Sequence, residues 1–343
     1  MVVLNARAAR DNGADILTRH RCIEAVRKGG LWSITLESTA SGEQRSLKAK
    51  VLVNAAGPWV DDIISNVLEK PDRPLVRLVK GSHIIVRKLY NHDRSYVFQG
   101  DKGRIIFAIP YQNDFTLIGT TDQDFKGDLS NVQIDDSEIK YLCTVSNEYF
   151  KNDISPQDVI SHYAGVRPLY DDGASKAQEA TRDFVLKFDE NSCLLNIIGG
   201  KITTYRVLSE QALAHLSACF PKMKGDWTQT SALPGGDFSF DEFDFYVDKI
   251  CQDYPFLDEG MLERYFEAYG TLCWQLLENV NSKADMGQYF GHGLYEKEVQ
   301  YLCDLEWATC ADDILWRRSK LGLQMNQDER GKLIHWFSLK PRS

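Results

Sequence analysis

Two uninterrupted apolar runs dominate the sequence, Val51-Leu-Val-Asn-Ala-Ala56 and Cys193-Leu-Leu-Asn-Ile-Ile198. Each has the length of a strand and neither alternates apolar with polar residues, so each reads as a strand covered on both faces. Each also ends at glycine. Gly57-Pro58 leads into a helix over 59–68, and Gly199-Gly200-Lys201 leads into a helix from Thr203 to about residue 219. Strands of this kind belong to a layered α/β sheet, and their wide separation makes the chain between them an excursion from that domain.

The excursion has a different rhythm. Short strands over 83–88, 95–99, 104–110 and 115–119 are separated by turns such as Gly100-Asp-Lys-Gly103 and Gln112-Asn-Asp114, the pattern of an antiparallel meander. A helix over 136–150 interrupts it and 184–188 adds a late strand. Ahead of the first apolar run, residues 2–12 read as a helix ended by Gly13, strand-like 14–20 follows, and 22–27 with 31–37 form a hairpin across Lys28-Gly29-Gly30. A helix feeding a strand is the second half of a βαβ unit whose first strand is expected upstream, so the chain reads as a fragment of a longer protein. Beyond Ser231-Ala-Leu-Pro-Gly-Gly-Asp237 the period becomes helical, near 240–252, 259–279, 294–318 and 328–338. The expectation is a mixed α/β and α+β chain. Residues 1–75 and 189–220 form an α/β domain, 76–188 an antiparallel domain, and 221–343 an all-α domain.

Charge follows the same division. Residues 217–343 carry 13 basic and 21 acidic side chains, against 27 and 28 before them, and the whole chain stands at −9. An acidic protein of this kind is not held to nucleic acid by a basic surface. No stretch approaches the roughly 18 apolar residues of a spanning helix. The eight cysteines include no C-x-x-C pair, no Cys/His spacing fits a metal, and no signal peptide opens the chain. Reduced, buried thiols in the cytoplasm are expected.

Neither G-x-G-x-x-G nor G-x-x-x-x-G-K-[ST] occurs, so a phosphate-cradling fingerprint is absent from these residues. Four other pieces carry chemistry. Asn54-Ala-Ala-Gly-Pro-Trp59 ends a strand in a turn where glycine admits close approach to the backbone. Lys80-Gly-Ser-His83 opens a strand, and His83 suits a general base or an ordinary structural histidine. Arg167 and Arg182 offer planar forks for phosphate or carboxylate, though most arginines are solvated surface residues. Ile198-Gly-Gly-Lys-Ile-Thr-Thr-Tyr205 runs through paired glycines to a helix N-terminus, whose free N–H groups favour negative charge beside the Lys201 cation.

Taken in order, Asn54 to Trp59, Val79-Lys-Gly-Ser-His83, Ile118-Gly-Thr-Thr-Asp122, Gly165-Val-Arg-Pro-Leu169, Ala180-Thr-Arg-Asp183 and Gly199-Gly-Lys-Ile-Thr-Thr-Tyr-Arg206 closely resemble FAD-dependent glycerol-3-phosphate dehydrogenases of the respiratory, quinone-linked kind. That family lies among the flavoproteins related to D-amino-acid oxidase. Tyr269-Gly, Glu298-Val, Glu306-Trp-Ala-Thr and Leu315-Trp-Arg-Arg318 resemble its C-terminal helical domain.

The resemblance implies oxidation of sn-glycerol 3-phosphate to dihydroxyacetone phosphate, with electrons passing through FAD to quinone at the inner face of the cytoplasmic membrane. It implies that Gly199, Gly200, Lys201, Ile202 and Thr203 lie against the isoalloxazine, where the helix N-terminus stabilises negative charge. Ala56, Gly57 and Trp59 would pass near the adenine or pyrophosphate, and residues 1–75 and 189–220 would be the flavin domain. Arg167, Arg182 and Lys201 would bind substrate, with His83 and Lys201 as catalytic residues and His83 the candidate base. The family's glycine-rich FAD fingerprint is missing here, so this chain alone is expected to bind FAD weakly or not at all and to be inactive by itself. Two rivals stand beside this reading: an oxidase passing electrons to oxygen, and a non-catalytic binding or assembly fragment. Peripheral membrane contact through Trp316-Arg-Arg-Ser-Lys320 and the 336–343 tail is weighed against an ordinary helix face, which the acidic surroundings favour. A homodimer stays open.

Overall fold

The computed structural model describes residues 1–69, 74–100, 103–171 and 183–339. The chain divides into two compact units, one of residues Met1–Thr18 with Thr230–Ser343 and one of Arg19–Gln229. Helix α1 (Val2–Asp11) opens the chain and belongs to the first of these. The sequence reading groups it instead with residues 19–75 in a βαβ half-unit. What decides the matter is its inward residue. Arg7 is buried, donating to the Tyr301 hydroxyl at 2.5 Å and to Gln275 at 3.1 Å, with Glu306 at 3.9 Å. Residues 14–17 are not a strand.

The larger unit starts with β1 (His20–Lys28), β2 (Leu31–Ser38) and β3 (Gln44–Ala49), a three-stranded antiparallel sheet. Gly29 and Gly30 take φ of +60° and +79° in the tight turn, conformations that only glycine adopts cheaply. Trp32 and Ile34 face inward as the alternation predicts. Next comes β4 (Leu52–Asn54), then a helical stretch running Gly57–Trp59, α2 (Val60–Asp62) and Ile63–Val67. The expected burial on both faces fails for β4. It has one neighbour among the described strands, and Val53 is 42% exposed.

The excursion builds a six-stranded antiparallel sheet from β5 (Val76–Arg87), β6 (Tyr96–Gln99), β7 (Ile105–Tyr111), β8 (Phe115–Gly119), β9 (Gln123–Asp124) and a later strand. Helix α3 (Asp136–Asn147) covers one face. Asp135 and Glu138 close its N-terminus in a reciprocal capping box, and Leu142, Cys143 and Val145 meet Ile84, Val86, Ile106 and Ile118 in the core. The later strand, β10 (Val159–Tyr170), pairs with β5 along its length and is absent from the sequence expectation. Gly165 and Pro168 disguise it, because both are strand-breaking residues in a local reading.

Strand β11 (Phe184–Asp189) is expected in the meander. It pairs instead with β12 (Leu194–Gly199), which runs parallel to β4 in order β11-β12-β4. A short turn, Ile202–Thr204, then leads into α4 (Tyr205–Leu216).

The helical unit holds α5 (Phe243–Asp253), α6 (Glu259–Tyr269), α7 (Cys273–Leu276), α8 (Glu296–Glu306) and α9 (Gln327–Leu339). A small hairpin, β13 (Tyr289–Gly291) with β14 (Leu294–Tyr295), lies among them, and sequence periodicity gave no hint of it. The two tryptophans weighed as interfacial are packing residues. Trp316 lies under the Arg330 guanidinium, and Trp336 is buried with its indole N–H on Glu296 at 2.9 Å. Among the described residues no helix is long and apolar enough to cross a membrane.

Candidate active site

Strand β5 presents different chemistry to its two sides. Its even residues face α3. Lys80 meets Glu138 at 2.8 Å and Asp135 at 3.3 Å, and Ser82 donates to Glu138 at 2.9 Å. Thr121 adds a bond of 2.6 Å to the same buried carboxylate. Burial works against the Lys80 ammonium, but the two carboxylates outweigh it and hold its pKa above the ordinary lysine value. A buried charge satisfied this fully stays in place.

The odd residues face the other way, where β6, β7, β8, β5 and β10 bring Val97, Phe107, Gly119, His83 and Tyr163 into register in a single row. The His83 ring stacks on Tyr163 with centroids 4.8 Å apart and planes 11° from parallel. On its other side stands Gly119, where any β-carbon would collide with the imidazole. Glycine is thus required at 119 for space. His83 Nδ1 is buried with no hydrogen-bond partner among the described residues. Burial first, and the nearby Arg167 cation second, push the imidazole down to about 4, so it is neutral at neutral pH.

Arg167 lies four residues beyond Tyr163 on β10 and opposite Val79 on β5. Its guanidinium donates to Asp122 at 2.7 Å and to Thr120 at 3.0 Å, while its side chain stays 37% exposed. Gly81 makes room for it, since a β-carbon there would stand 2.6 Å from both terminal nitrogens. An anchored, half-open guanidinium suits an anion. Asp122, Thr120, Gly81 and Gly119 all lie within motifs legible in the sequence, yet only the strand register assigns them these tasks.

The paired glycines end β12 against the same strand. Gly199 and Gly200 take φ of +75° and +97°, and a Gly199 β-carbon would press on the Asp183 carbonyl at 2.9 Å. Pro168 and Tyr170 of β10 flank it. The Gly57–Trp59 turn also neighbours β10 and β12. Lys201, Ile202 and Thr203 are exposed, Ile202 by 59%, and Trp59 by 43%. Ala56 donates its N–H to Asn54, whose side chain bridges to Asn196 at 2.9 Å and ties the two glycine turns together. Open glycine backbone, exposed apolar side chains and a helix start fit the ring end of a flavin, and these residues could hold it. The sequence supplies no cradle for the pyrophosphate. Arg182 lies outside the described residues.

Residues 1–206 match the model of the FAD-dependent oxidoreductases. The chain belongs to that family. Residues 227–333 match the C-terminal domain of alpha-glycerophosphate oxidase. Among relatives of this oxidoreductase, the glycerol-3-phosphate dehydrogenase of Pseudomonas aeruginosa is 44% identical over 97% of the chain and 65% of its own length. The aerobic glycerol-3-phosphate dehydrogenase of Escherichia coli is 41% identical over 98% and 68%. The D-erythritol 1-phosphate dehydrogenase of Brucella abortus is 40% identical over 98% and 68%. The chain thus spans about two thirds of the length of these relatives. In fold it superposes on the glycerol-3-phosphate dehydrogenase of Bacillus halodurans complexed with FAD, with TM-score 0.82 at 22% identity, covering 98% of this chain and 71% of that one.

Proposed function

We propose that this oxidoreductase takes part in oxidising the secondary alcohol of a phosphorylated polyol, sn-glycerol 3-phosphate, to the ketone, dihydroxyacetone phosphate. The observation that carries the reading is the pairing of a neutral, unpartnered imidazole nitrogen at His83 with the anchored guanidinium of Arg167 on adjacent strands. Bound FAD would supply the acceptor for the hydride that leaves the carbinol carbon. Arg167, with Lys201 and Arg182, would grip the phosphate and set the alcohol's position. His83 would take the hydroxyl proton, for which a neutral ring is the competent form. Tyr163 stacks on that ring and Gly119 leaves it room. Gly199 to Thr203 with Ala56, Gly57 and Trp59 would hold the cofactor.

Supporting the phosphorylated substrate are relatives named for two phosphorylated polyols at nearly equal identity. D-erythritol 1-phosphate is therefore the second substrate to test. Onward transfer to a quinone at the cytoplasmic face of the membrane is part of the proposal, with oxygen as the alternative acceptor.

Gel filtration with excess FAD tests the cofactor first, and co-elution of flavin with protein is the result that makes this chain sufficient. Flavin travelling separately would assign cofactor binding to a longer form of the protein, in which the same residues are then assayed. On flavin-loaded protein, anaerobic sn-glycerol 3-phosphate should bleach the visible flavin band and D-erythritol 1-phosphate should do so less well. Bleaching by neither would end the proposal. Reoxidation by a quinone analogue against peroxide release in air separates the two acceptors.

A further inference from the structure

Cys193 and Cys219 are distant in sequence, and no C-x-x-C spacing marks them, yet their sulfurs stand 3.7 Å apart. Both are free and partly exposed. Cys193 sits at the turn before β12 with φ of +48°, and its carbonyl is fixed by the Leu52 N–H at 3.1 Å and the Trp32 indole at 3.4 Å. Cys219 lies just past the end of α4, where its N–H returns to Leu216 at 2.9 Å. A cation completes the arrangement. Arg27, held by the Lys50 carbonyl at 2.8 Å and lying over the Trp32 ring, donates to Cys193 Sγ at 3.5 Å.

We propose that Cys193 and Cys219 form a reversible intramolecular disulfide, a modification site outside the candidate active site. Two adjacent thiols and a guanidinium on one sulfur are the parts such a site needs. With hydrogen peroxide as oxidant, the Cys193 thiolate attacks the O–O bond, giving a sulfenic acid at Cys193 and releasing hydroxide that leaves as water. The Cys219 thiolate then displaces the second oxygen as hydroxide and the S–S bond closes. Two thiols lose two electrons and two protons, and one peroxide becomes two waters. Arg27 donates to the first sulfur and fixes its position. Burial and the neighbouring sulfur raise the Cys219 thiol above its ordinary range, so closure quickens as pH rises.

The cross-link would bracket the whole β12–α4 segment, with Gly199 to Thr203 inside the closed loop. It would tie the helix end to the strand start without touching the glycine turn itself. Closing such a loop should raise the melting temperature by about 5–10 °C.

The test is mild peroxide treatment of the intact chain, followed by denatured thiol titration and peptide mapping. Thiols should fall from eight to six, with one peptide pair joining Cys193 to Cys219 and full reversal by dithiothreitol. Arg27→Gln should slow the loss several-fold and leave the product unchanged. Cys219→Ser should stop the reaction at an oxidised Cys193 that a sulfenic-acid probe labels. An unchanged thiol count, a link through another cysteine, or over-oxidation of wild-type Cys193 with Cys219 still reduced would each overturn the proposal. Because the readout is mass and thiol count, its failure would leave the dehydrogenase reading untouched.

Discussion

In the helical unit Arg264 meets Glu298 through two hydrogen bonds of 2.7 Å each, and Tyr269 adds a third of 2.7 Å to a carboxylate with no exposed surface. In the sheet unit Arg167 meets Asp122 through one bond of 2.7 Å, and more than a third of its side chain is open. Both are arginine–carboxylate pairs. The difference lies in what else reaches them. Glu298 is fully buried and accepts from both terminal nitrogens of Arg264 and from the Tyr269 hydroxyl, so the pair is fixed as part of the packing. Among the described residues Arg167 is anchored by Asp122 and Thr120 and stays 37% exposed, which leaves a directed cation without a closed environment. A charge pair closed off from water builds a fold, whereas a charge anchored at a half-open face can bind.

The largest expected effect breaks the closed pair. Glu298→Ala should cost about 3–5 kcal/mol, because Arg264 is left charged and buried. Urea denaturation measures it, and a loss under 1 kcal/mol would place the pair among ordinary surface bridges. Next comes the open pair. Arg167→Ala should lower kcat/KM for the phosphorylated substrate about 100-fold, equivalent to about 3 kcal/mol, with the unfolding midpoint nearly unchanged. An equal drop with the unphosphorylated polyol would show that the guanidinium does not read phosphate. Asp122→Asn sharpens the contrast further. It should cost about tenfold in KM, because the fork loses its anchor but keeps its charge.

The pH dependence gives the smallest and most specific test. The His83 ring is held near 4 in the fold against an ordinary value of 6.5. Its neutral form therefore contributes stability that is complete above about pH 6.5 and is lost as pH falls toward 4. Catalysis should keep a competent base down to the same region. Arg167→Leu removes the second of the two depressing influences, so the acid limb of the pH profile should move upward toward neutrality. A limb that does not move would show that burial alone sets the imidazole.

Much of the fold is visible in the sequence where structure is local. The Gly29-Gly30 hairpin, the meander and helix α3 follow from alternation, turn residues and helix period. What stays hidden depends on partners far along the chain. Strand β10 carries Gly165 and Pro168, and nothing near them shows that a twelve-residue strand runs beside β5. Without β10 the sequence offers His83 and Arg167 as separate candidates, and only antiparallel register makes them neighbours. The place of helix α1 is hidden for a similar reason. Its burial turns on Arg7, a residue that local reading assigns to solvent, and on Tyr301 near the other end of the chain. The Lys80–Glu138 pair and the Cys193–Cys219 approach are likewise products of tertiary contact alone.

The two-sidedness of β5 bears on how this stretch can change over time. Lys80 and Ser82 serve a buried carboxylate while Gly81 and His83 serve the open face, one residue apart. Point replacements can tune either side separately. A single inserted or deleted codon within 80–83 would exchange them, pressing an imidazole against Glu138 and a serine toward the row of Phe107 and Tyr163. Length variation among descendants of this gene should therefore collect in the turns between strands, at 100–103 and 112–114, and spare these four positions.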